Sequence, residues 1–413
     1  MKLGSYEMEK LIGEGAFGKV YLTKKEGDSK KYATKELDRK EIDHSEAKKY
    51  LANEIRILSA LKHPNIVKFY DIKKTTKHYF IMMELCNGGG LSNALEKYIK
   101  INGKPFPEEL VQHFMRQIVD AFKYIHGKKV IHRDVKLDNI LLHYENEEDR
   151  NNFNLMKAQV KIIDFGFSCI YDELRKTILG SPINMDPLIL KKLTDSTGKT
   201  RELGYDQSAD IWSLGTVCYE MVIGKSAFDS EDMDELVEKI EKGDYSIPTD
   251  ISAELVSFMN GMLQYEGKRR LKAEQLSRHD FLTKDVKQFK KINLNEIGNK
   301  IEDNKIQVNT KESNTFIQKN KNSTIWSIYK NNQETLLSNI AGNQFIHPID
   351  KIEEEDFKES MKNSLLQLPS KGIPDNPKEQ KIIEMKKEDM DKLQKDANVK
   401  ETGYSFSSNI FGD

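Results

Sequence analysis

Between residues 6 and 85 apolar and polar positions alternate in short runs, among them "KVYLTKK", "KYATKEL", "IVKFYDI" and "HYFIMMEL". A period of two buries one face of a strand and leaves the other for solvent or ligand, so these runs predict an antiparallel sheet. One segment departs from that period. In "SEAKKYLANEIRILSAL" the apolar Leu51, Ile55 and Leu58 recur at helical spacing, with Ser45 placed to cap the N-terminus. Glu54 falls on the same helical face as Leu58 and is expected to point toward the sheet. The run "CNGGG" at 86–90 breaks the pattern, and from Pro107 onward the periodicity is mostly helical. The pattern thus predicts an α+β chain with a small β-rich lobe carrying one helix, a Gly-rich hinge and a larger helical lobe.

After about Phe281 the composition shifts to Lys, Asn, Glu and Ser with scattered apolar residues. Such a segment buries too little apolar surface to offset about 1–2 kcal/mol of backbone entropy per ordered residue. Residues 283–413 read as a mostly disordered tail, with short helices expected near 351–367 and 378–396. Within it, "NKNSTIWSIYKNN" at 320–332 is basic and carries Ile325, Trp326, Ile328 and Tyr329. It is a candidate for contact with a regulatory partner, although its Asn content favours a disordered segment with incidental aromatics.

Composition narrows the function. The chain has 413 residues, enough for a sizeable core, and 65 basic against 66 acidic side chains leave a net charge of −1. No global field points to nucleic acid or to an anionic membrane. The three cysteines, Cys86, Cys169 and Cys218, are few and far apart, which argues against a disulfide framework or a zinc site and fits a reducing compartment. No apolar run approaches the ~18 residues of a membrane span. "MKLGSYEMEK" lacks a signal-peptide core, and Lys2 stands where N-myristoylation needs Gly. A cytoplasmic protein is expected.

The candidate chemistry lies in four places. "LIGEGAFGKV" offers Gly13, Gly15 and Gly18 between two β-like runs, where backbone can approach phosphate oxygens without Cβ clashes. A dinucleotide-binding loop with the same glycines would open a helix, whereas "KVYLTKK" continues as a strand. Lys35 sits in an apolar strand, where a charge needs an anion; Glu54 can supply one and a nucleotide phosphate another. "VIHRDVKLDNILL" places Arg133, Asp134, Lys136 and Asn139 between apolar runs, and "VKIIDFGFS" ends an apolar strand on Asp164. Each alone has a plainer reading: a structural hairpin, an exposed Lys–Glu pair, a solvated loop, an ordinary turn.

Their order removes the ambiguity. The Gly-rich loop, the strand lysine, the helix glutamate, "HRDVKLDN", "DFG" and "DIWSLG" together resemble the eukaryotic protein kinases over residues 6–282. The resemblance implies a bilobal kinase fold with an N-lobe at 6–85, a hinge at 86–90 and a C-lobe at 91–282. It implies ATP and Mg²⁺ as cofactors and proteins as substrates. Asp134 would accept or orient the proton of the substrate hydroxyl, and Lys136 would offset charge on the phosphoryl group. Asn139 and Asp164 would hold Mg²⁺, and Lys35, locked by Glu54, would position the phosphates. The adenine pocket would comprise Ile12, Val20 and Ala33 above and Leu141 below, with Met83 beside it and Glu84 and Cys86 giving hinge backbone hydrogen bonds. Asp210 would brace the catalytic loop. Lys136, and Phe167 after Asp-Phe-Gly, resemble the serine/threonine kinases.

Two features depart from the family. "GSPINMDPLIL" carries Asp186, Pro187 and Leu188 where the family closes its substrate loop with Ala-Pro-Glu. The Arg that this Glu would pair is Arg270, so either Asp186 substitutes for the Glu or Arg270 is more hydrated than usual. The lost Glu also raises a scaffold reading, a pseudokinase, against which every group touching ATP, metal or hydroxyl is present. Residues 143–159 form an acidic, Asn-rich insertion expected to be an exposed loop. "GSP" at 180–182, "KLDNILL" and the end of the large lobe resemble the Unc-51-like, autophagy-initiating kinases, with calcium/calmodulin-dependent kinases as the alternative. Lys- and Asn-rich composition resembles a protist member. Gly90 stands where basophilic relatives carry an acid, and with Asp138 and Glu220 remaining, no strong requirement for an upstream arginine is expected. Ile178, Pro182 and Met185 would favour an apolar residue after the phosphosite. Thr177, 13 residues after Asp164 and four before Ser181, is placed for an activating phosphate received by Arg133.

Overall fold

The computed structural model describes residues 1–15, 18–43, 47–166, 168–170, 182–194, 206–230, 232–243, 245–247 and 250–289. Ser45, Phe167, Thr177, Ile178, Ser181 and all expectations for the tail beyond 289 lie outside the described residues.

The chain opens with β1 (Lys2–Leu3), β2 (Tyr6–Gly15), β3 (Gly18–Lys25) and β4 (Lys31–Asp38). Next come a short α1 (Arg39–Asp43) and α2 (Ala47–Ala60), then β5 (Phe69–Lys74) and β6 (His78–Glu84). The six strands form one sheet in the order β1-β2-β3-β4-β6-β5, and every pairing is antiparallel. The alternation in the sequence is thus realised, with β1 added ahead of the expected start at residue 6. Leu51, Ile55 and Leu58 are buried on α2 as their spacing predicts. On the other side of the sheet Leu3, Tyr6, Met8, Tyr32, Phe80 and Met82 make a second small core, with Tyr32 edge-on to both Tyr6 and Tyr70.

The larger lobe begins with α3 (Leu91–Asn102) and α4 (Glu108–Gly127). It continues through β7 (Val130–Ile131), β8 (Ile140–His143), α5 (Glu147–Asn151), β9 (Gln159–Ile162) and β10 (Cys169–Ile170). Then follow α6 (Pro187–Thr194), α7 (Gln207–Ile223), α8 (Met233–Lys242), α9 (Ala253–Met262), α10 (Ala273–Leu276) and α11 (Asp280–Thr283). Helix α7 is apolar all round and buried from Ala209 through Tyr219, so it forms the axis of the lobe. Asp206 caps its start by accepting from Ser208 N, and Gly224, at φ 81°, ends it. β8 pairs with β9 and β7 with β10, two small antiparallel ladders that carry the loops of the site on the rim of this helical core.

The packed chain runs past 282. Gln112 and Arg116 on α4 donate to the carbonyls of Phe281, Leu282 and Lys284, and Phe289 packs on Phe281 with ring centroids 5.8 Å apart. The first residues assigned to a tail from composition are therefore part of the folded lobe, because the Lys284 carbonyl finds a donor on α4 and Phe289 packs on Phe281 of α11. Among the described residues no helix is long and apolar enough to cross a membrane.

Candidate active site

The segment from His132 to Asn139 leaves the core at β7 and is suspended from Asp210 on α7. The Asp210 carboxylate accepts from the backbone N–H groups of His132 and Arg133, both at 2.9 Å, and from His126 Nε2 at 2.9 Å. Burial works to raise the Asp210 carboxyl, but the His126 hydrogen bond and the surrounding donors hold it below the usual range, so it stays an anion. This support fixes Arg133 at φ 70°, a left-handed conformation that non-glycine residues seldom adopt. The turn delivers Asp134, which is buried, to the end of the loop. Asp134 Oδ2 accepts from Asn139 Nδ2 at 2.8 Å and faces Lys136 Nζ at 2.9 Å; Asn139 Nδ2 also donates to the Asp134 carbonyl at 2.8 Å. With its NH₂ group spent on Asp134, the Asn139 side chain keeps its carbonyl oxygen, an acceptor, for a cation.

A second cluster gathers at the Asp164 turn. Asp164 also adopts a left-handed backbone, at φ 62°, and accepts from Gly166 N at 3.3 Å. Phe165 is fully buried, edge-on to His132 at 4.8 Å, and His132 Nε2 lies 3.1 Å from the Ile163 carbonyl. The two loops are thereby tied together. Lys35 pairs across the sheet with Val20 and Ile81, and its ammonium feels both the Glu54 and Asp164 carboxylates. Burial would lower the Lys35 ammonium, but those two anions raise it above the usual value. Burial raises the Glu54 carboxyl and the Asp164 charge adds to that rise, against the opposing pull of Lys35. Burial likewise works to raise Asp164, yet Lys35, His132, the Gly166 N–H and Lys136 hold it low. A Cβ built on Gly166 would stand 3.1 Å from Asp164 Oδ1 and 3.5 Å from Glu54 Oε2, so the two carboxylates converge on the turn. Two carboxylates around one half-buried lysine leave a negative excess.

That excess, with the Asn139 carbonyl oxygen, suits Mg²⁺, which takes one or two protein carboxylates and completes its shell with phosphate oxygens and water. The described residues hold no group of three or more His, Cys, Asp or Glu side chains able to cage a metal unaided. The donor set therefore fits a cation that arrives with a nucleotide.

Apart from the buried Ala33, the expected adenine walls are left partly open. On β8, Ile140 and Leu142 are buried while Leu141 between them is half-exposed. Met83, Cys86 and Val20 are half-exposed, Ala33 pairs with Met83 across the sheet, and Ile12 is 46% exposed. Apolar side chains left half-open beside a buried core mark a surface built to be covered. The structure brings Val20, Ala33, Lys35 and Met83 together through the sheet register and leaves Ile12 at the open edge. The glycines differ from one another. Gly18, at φ 121°, lies so close to β4 that a Cβ would stand 2.0 Å from the Glu36 carbonyl oxygen, so its glycine is demanded by the sheet itself. Gly13 has only ordinary contact, with Val20 Cβ at 3.8 Å, and Gly15 pairs with Gly18 at the end of the hairpin.

Glu84 does more than lend hinge backbone. Its Oε1 meets Lys161 Nζ at 2.9 Å and its Oε2 accepts from Lys68 N at 3.2 Å. Lys161 is buried on β9, and the signal that singles out Lys35, a lysine in an apolar strand, stands equally in "VKII". Cys86 is pushed up to about 12 by burial and by Glu84, so its thiol stays neutral. At the substrate side Ser92 Oγ donates to Asp138 Oδ1 at 2.8 Å, and burial together with Asp138 pushes Glu220 up to about 7.

The family departure at Leu188 is compensated two residues earlier. Asp186 pairs with Arg270 Nη1, and its other oxygen accepts from Leu188 N at 2.8 Å and Ile189 N at 3.2 Å, capping α6. Arg270 is not hydrated: its side chain has no exposed surface. It donates to the carbonyls of Gln264 at 2.7 Å, Ser208 at 2.8 Å and Tyr265 at 2.9 Å, above the Trp212 ring at 5.1 Å. The insertion at 143–159 is likewise no simple exposed loop. It contains α5, buries Leu155 and Ala158, turns at Phe153 with φ 54°, and sets Lys97 of α3 4.0 Å from the Phe153 ring. Tyr144, Leu155 and Ala158, buried within an acidic stretch, with Phe153 packed beside them, fold it back.

A two-lobed α+β fold with a braced Asp-Lys-Asn loop opposite a Lys–Glu–Asp cluster defines a protein kinase domain. The protein kinase domain family matches residues 6–282, and the chain belongs to that family. It is 31% identical over 296 residues to calcium-dependent protein kinase 5 of Plasmodium falciparum, which covers 70% of this chain and 46% of the relative. It is 33% identical over 288 residues to the serine/threonine-protein kinase atg1 of Dictyostelium discoideum, covering 68% of this chain and 40% of the relative. A probable myosin light chain kinase of Dictyostelium discoideum is 31% identical over 288 residues, covering 68% of this chain and 84% of the relative. The chain thus spans less than half the length of the first two relatives.

Proposed function

We propose that this protein is a serine/threonine protein kinase that transfers the γ-phosphoryl group of ATP to hydroxyls of protein substrates. The observation that carries this reading is the convergence of Lys136 Nζ and Asn139 Nδ2 on Asp134 Oδ2, at 2.9 and 2.8 Å. A carboxylate held in this way is oriented before substrate arrives, which is where most of the advantage of phosphoryl transfer lies. Asp134 accepts or orients the hydroxyl proton, and Lys136 offsets charge on the transferring group. Lys35, held by Glu54, aligns the ATP phosphates under the Gly13–Gly18 hairpin; Asn139 and Asp164 hold Mg²⁺, which when bound neutralises phosphate charge. With Asp186 supplying the partner of Arg270, the departure that raised a scaffold role no longer argues for one. The test is Mg²⁺-dependent phosphotransfer to a serine peptide by the purified chain; nucleotide binding without transfer would restore the scaffold.

The finer reading is an Unc-51-like kinase acting in the cytoplasm, on the segments at 180–182 and "KLDNILL" and on the likeness to atg1. The calcium-dependent relative supports the alternative branch. Activity indifferent to calcium and calmodulin fits the first, and stimulation by calcium–calmodulin the second. Thr177, by its spacing, is the proposed activating phosphosite, with Arg133 as receiver; mass spectrometry of active enzyme and Thr177→Ala test it, full activity of the variant refuting the switch.

A further inference from the structure

The hinge beside Cys86 is not a free glycine linker. Asn87 Nδ2 donates to the Tyr144 carbonyl at 2.9 Å, and Asn87 Oδ1 accepts from Tyr144 N at 2.8 Å. One side-chain amide thus copies the pairing of a β-strand residue. The backbone continues the match: Gly88 N donates to the Leu142 carbonyl and Leu142 N to the Gly89 carbonyl, both at 2.8 Å, and Gly90 bridges Leu141. Gly88 is required by this approach, since a Cβ there would lie 2.8 Å from Leu142 Cβ, Leu142 O and the Tyr144 ring. On the other flank of Cys86, Glu84 holds Lys161 at 2.9 Å. The two attachments go to different strands. Lys161 lies on β9, which leads to Asp164, and Leu142 and His143 end β8, which follows directly from Asn139. Tyr144, the residue Asn87 grasps, is 3% exposed and opens the insertion.

We infer that Asn87 is a positioning residue of the nucleotide site, acting through Cys86 to hold the adenine edge in register with the strands carrying Asn139 and Asp164. The inference rests on the proposed nucleotide site. Lobe opening then turns on backbone ahead of residue 84, while 84–90 moves with the large lobe. Asn87 does not touch the phosphates or the hydroxyl, so its loss acts on ATP affinity and spares the chemical step.

Steady-state kinetics on the full chain separate this from simple stabilisation. Asn87→Ala, which removes two hydrogen bonds, is expected to raise KM for ATP about tenfold. kcat at saturating ATP and KM for peptide are expected to stay within about twofold, matched by an about tenfold weaker Mg·ADP Kd. Tyr144→Phe removes a buried hydroxyl that has no hydrogen-bond partner among the described residues and leaves the backbone clamp, so its KM for ATP should equal wild type. An unchanged KM for ATP in Asn87→Ala, or a fall in kcat with KM constant and a lowered melting temperature, overturns the inference. So does an equal rise in Tyr144→Phe, which would assign the effect to packing of the ring. Wild-type protein that fails to bind Mg·ADP at all overturns the nucleotide-site reading instead, so the two failures are told apart.

Discussion

Two buried clusters of charge sit in this molecule, and they are finished to different degrees. Around Arg270 every donor nitrogen is engaged: Nε by Gln264, Nη1 by Asp186 and Ser208, Nη2 by Tyr265, with Trp212 beneath the plane. Charge and hydrogen bonds both close, which is what a buried ion pair needs to hold a fold together. Around Lys35 two carboxylates, Glu54 and Asp164, share one ammonium. In the proposed reaction a cation and phosphates would complete that cluster. Complete neutralisation marks the structural cluster, and the unbalanced one marks the place of function.

The comparison predicts opposite consequences for removing a cation. Lys35→Met should cost about 10³-fold or more in phosphotransfer, and Asp134→Asn about 10²–10⁴-fold. Thermal melts of both are expected within about 5 °C of wild type: Asp134→Asn keeps the side chain's shape, and in Lys35→Met the Glu54 carboxyl, already raised by burial and by Asp164, takes up a proton in place of the lost ammonium. An active Lys35→Met would place the phosphate contact elsewhere. Arg270→Ala should do the reverse, lowering stability by about 3–5 kcal/mol because Asp186 is left buried without its partner. Denaturant titration reads this loss, and the protein still folded at low temperature should retain kcat. Asp186→Ala loses the α6 cap as well, and the double variant should fall short of the sum of the two, the coupling appearing as a non-zero cycle energy.

A smaller effect sharpens the contrast from a third site. Glu220 is raised from 4.5 to about 7 by burial and by Asp138. A folded-state carboxyl that titrates higher than in the unfolded chain binds more protons when folded, so its contribution to stability is intact below about 4.5. It is lost as pH rises through about 7. Glu220→Gln should flatten that decline, seen as a gain over wild type at pH 8 that disappears at pH 4.5 when both are unfolded with urea. Equal pH profiles would mean Glu220 is paired and ionised.

Much of the site was open to reading along the chain because the chemistry is local. Asp134, Lys136 and Asn139 lie within six residues, and a helical or strand period tells which face Glu54 and Lys35 occupy. Lys161, a lysine in an apolar strand like Lys35, has its partner Glu84 77 residues away at the end of β6, so nothing near it in the sequence marks the pair. Along the sequence Asn87 is part of a Gly-rich hinge, since nothing local shows that an asparagine amide will meet the backbone of Tyr144. Gly18 was assigned to phosphate approach, and the sheet was found to need it first.

By itself the sequence determined the two-lobed α+β plan, the order of catalytic groups and the kinase family, because periodicity and short motifs depend on neighbours within a few residues. Tertiary structure alone decided how Arg270 is satisfied, whether the insertion folds, how far the large lobe extends toward Phe289 and what holds the hinge. Each of these depends on groups brought together from distant parts of the chain: along the sequence Asp186 and a hydrated Arg270 are equal alternatives, and only the packed lobe chooses the ion pair.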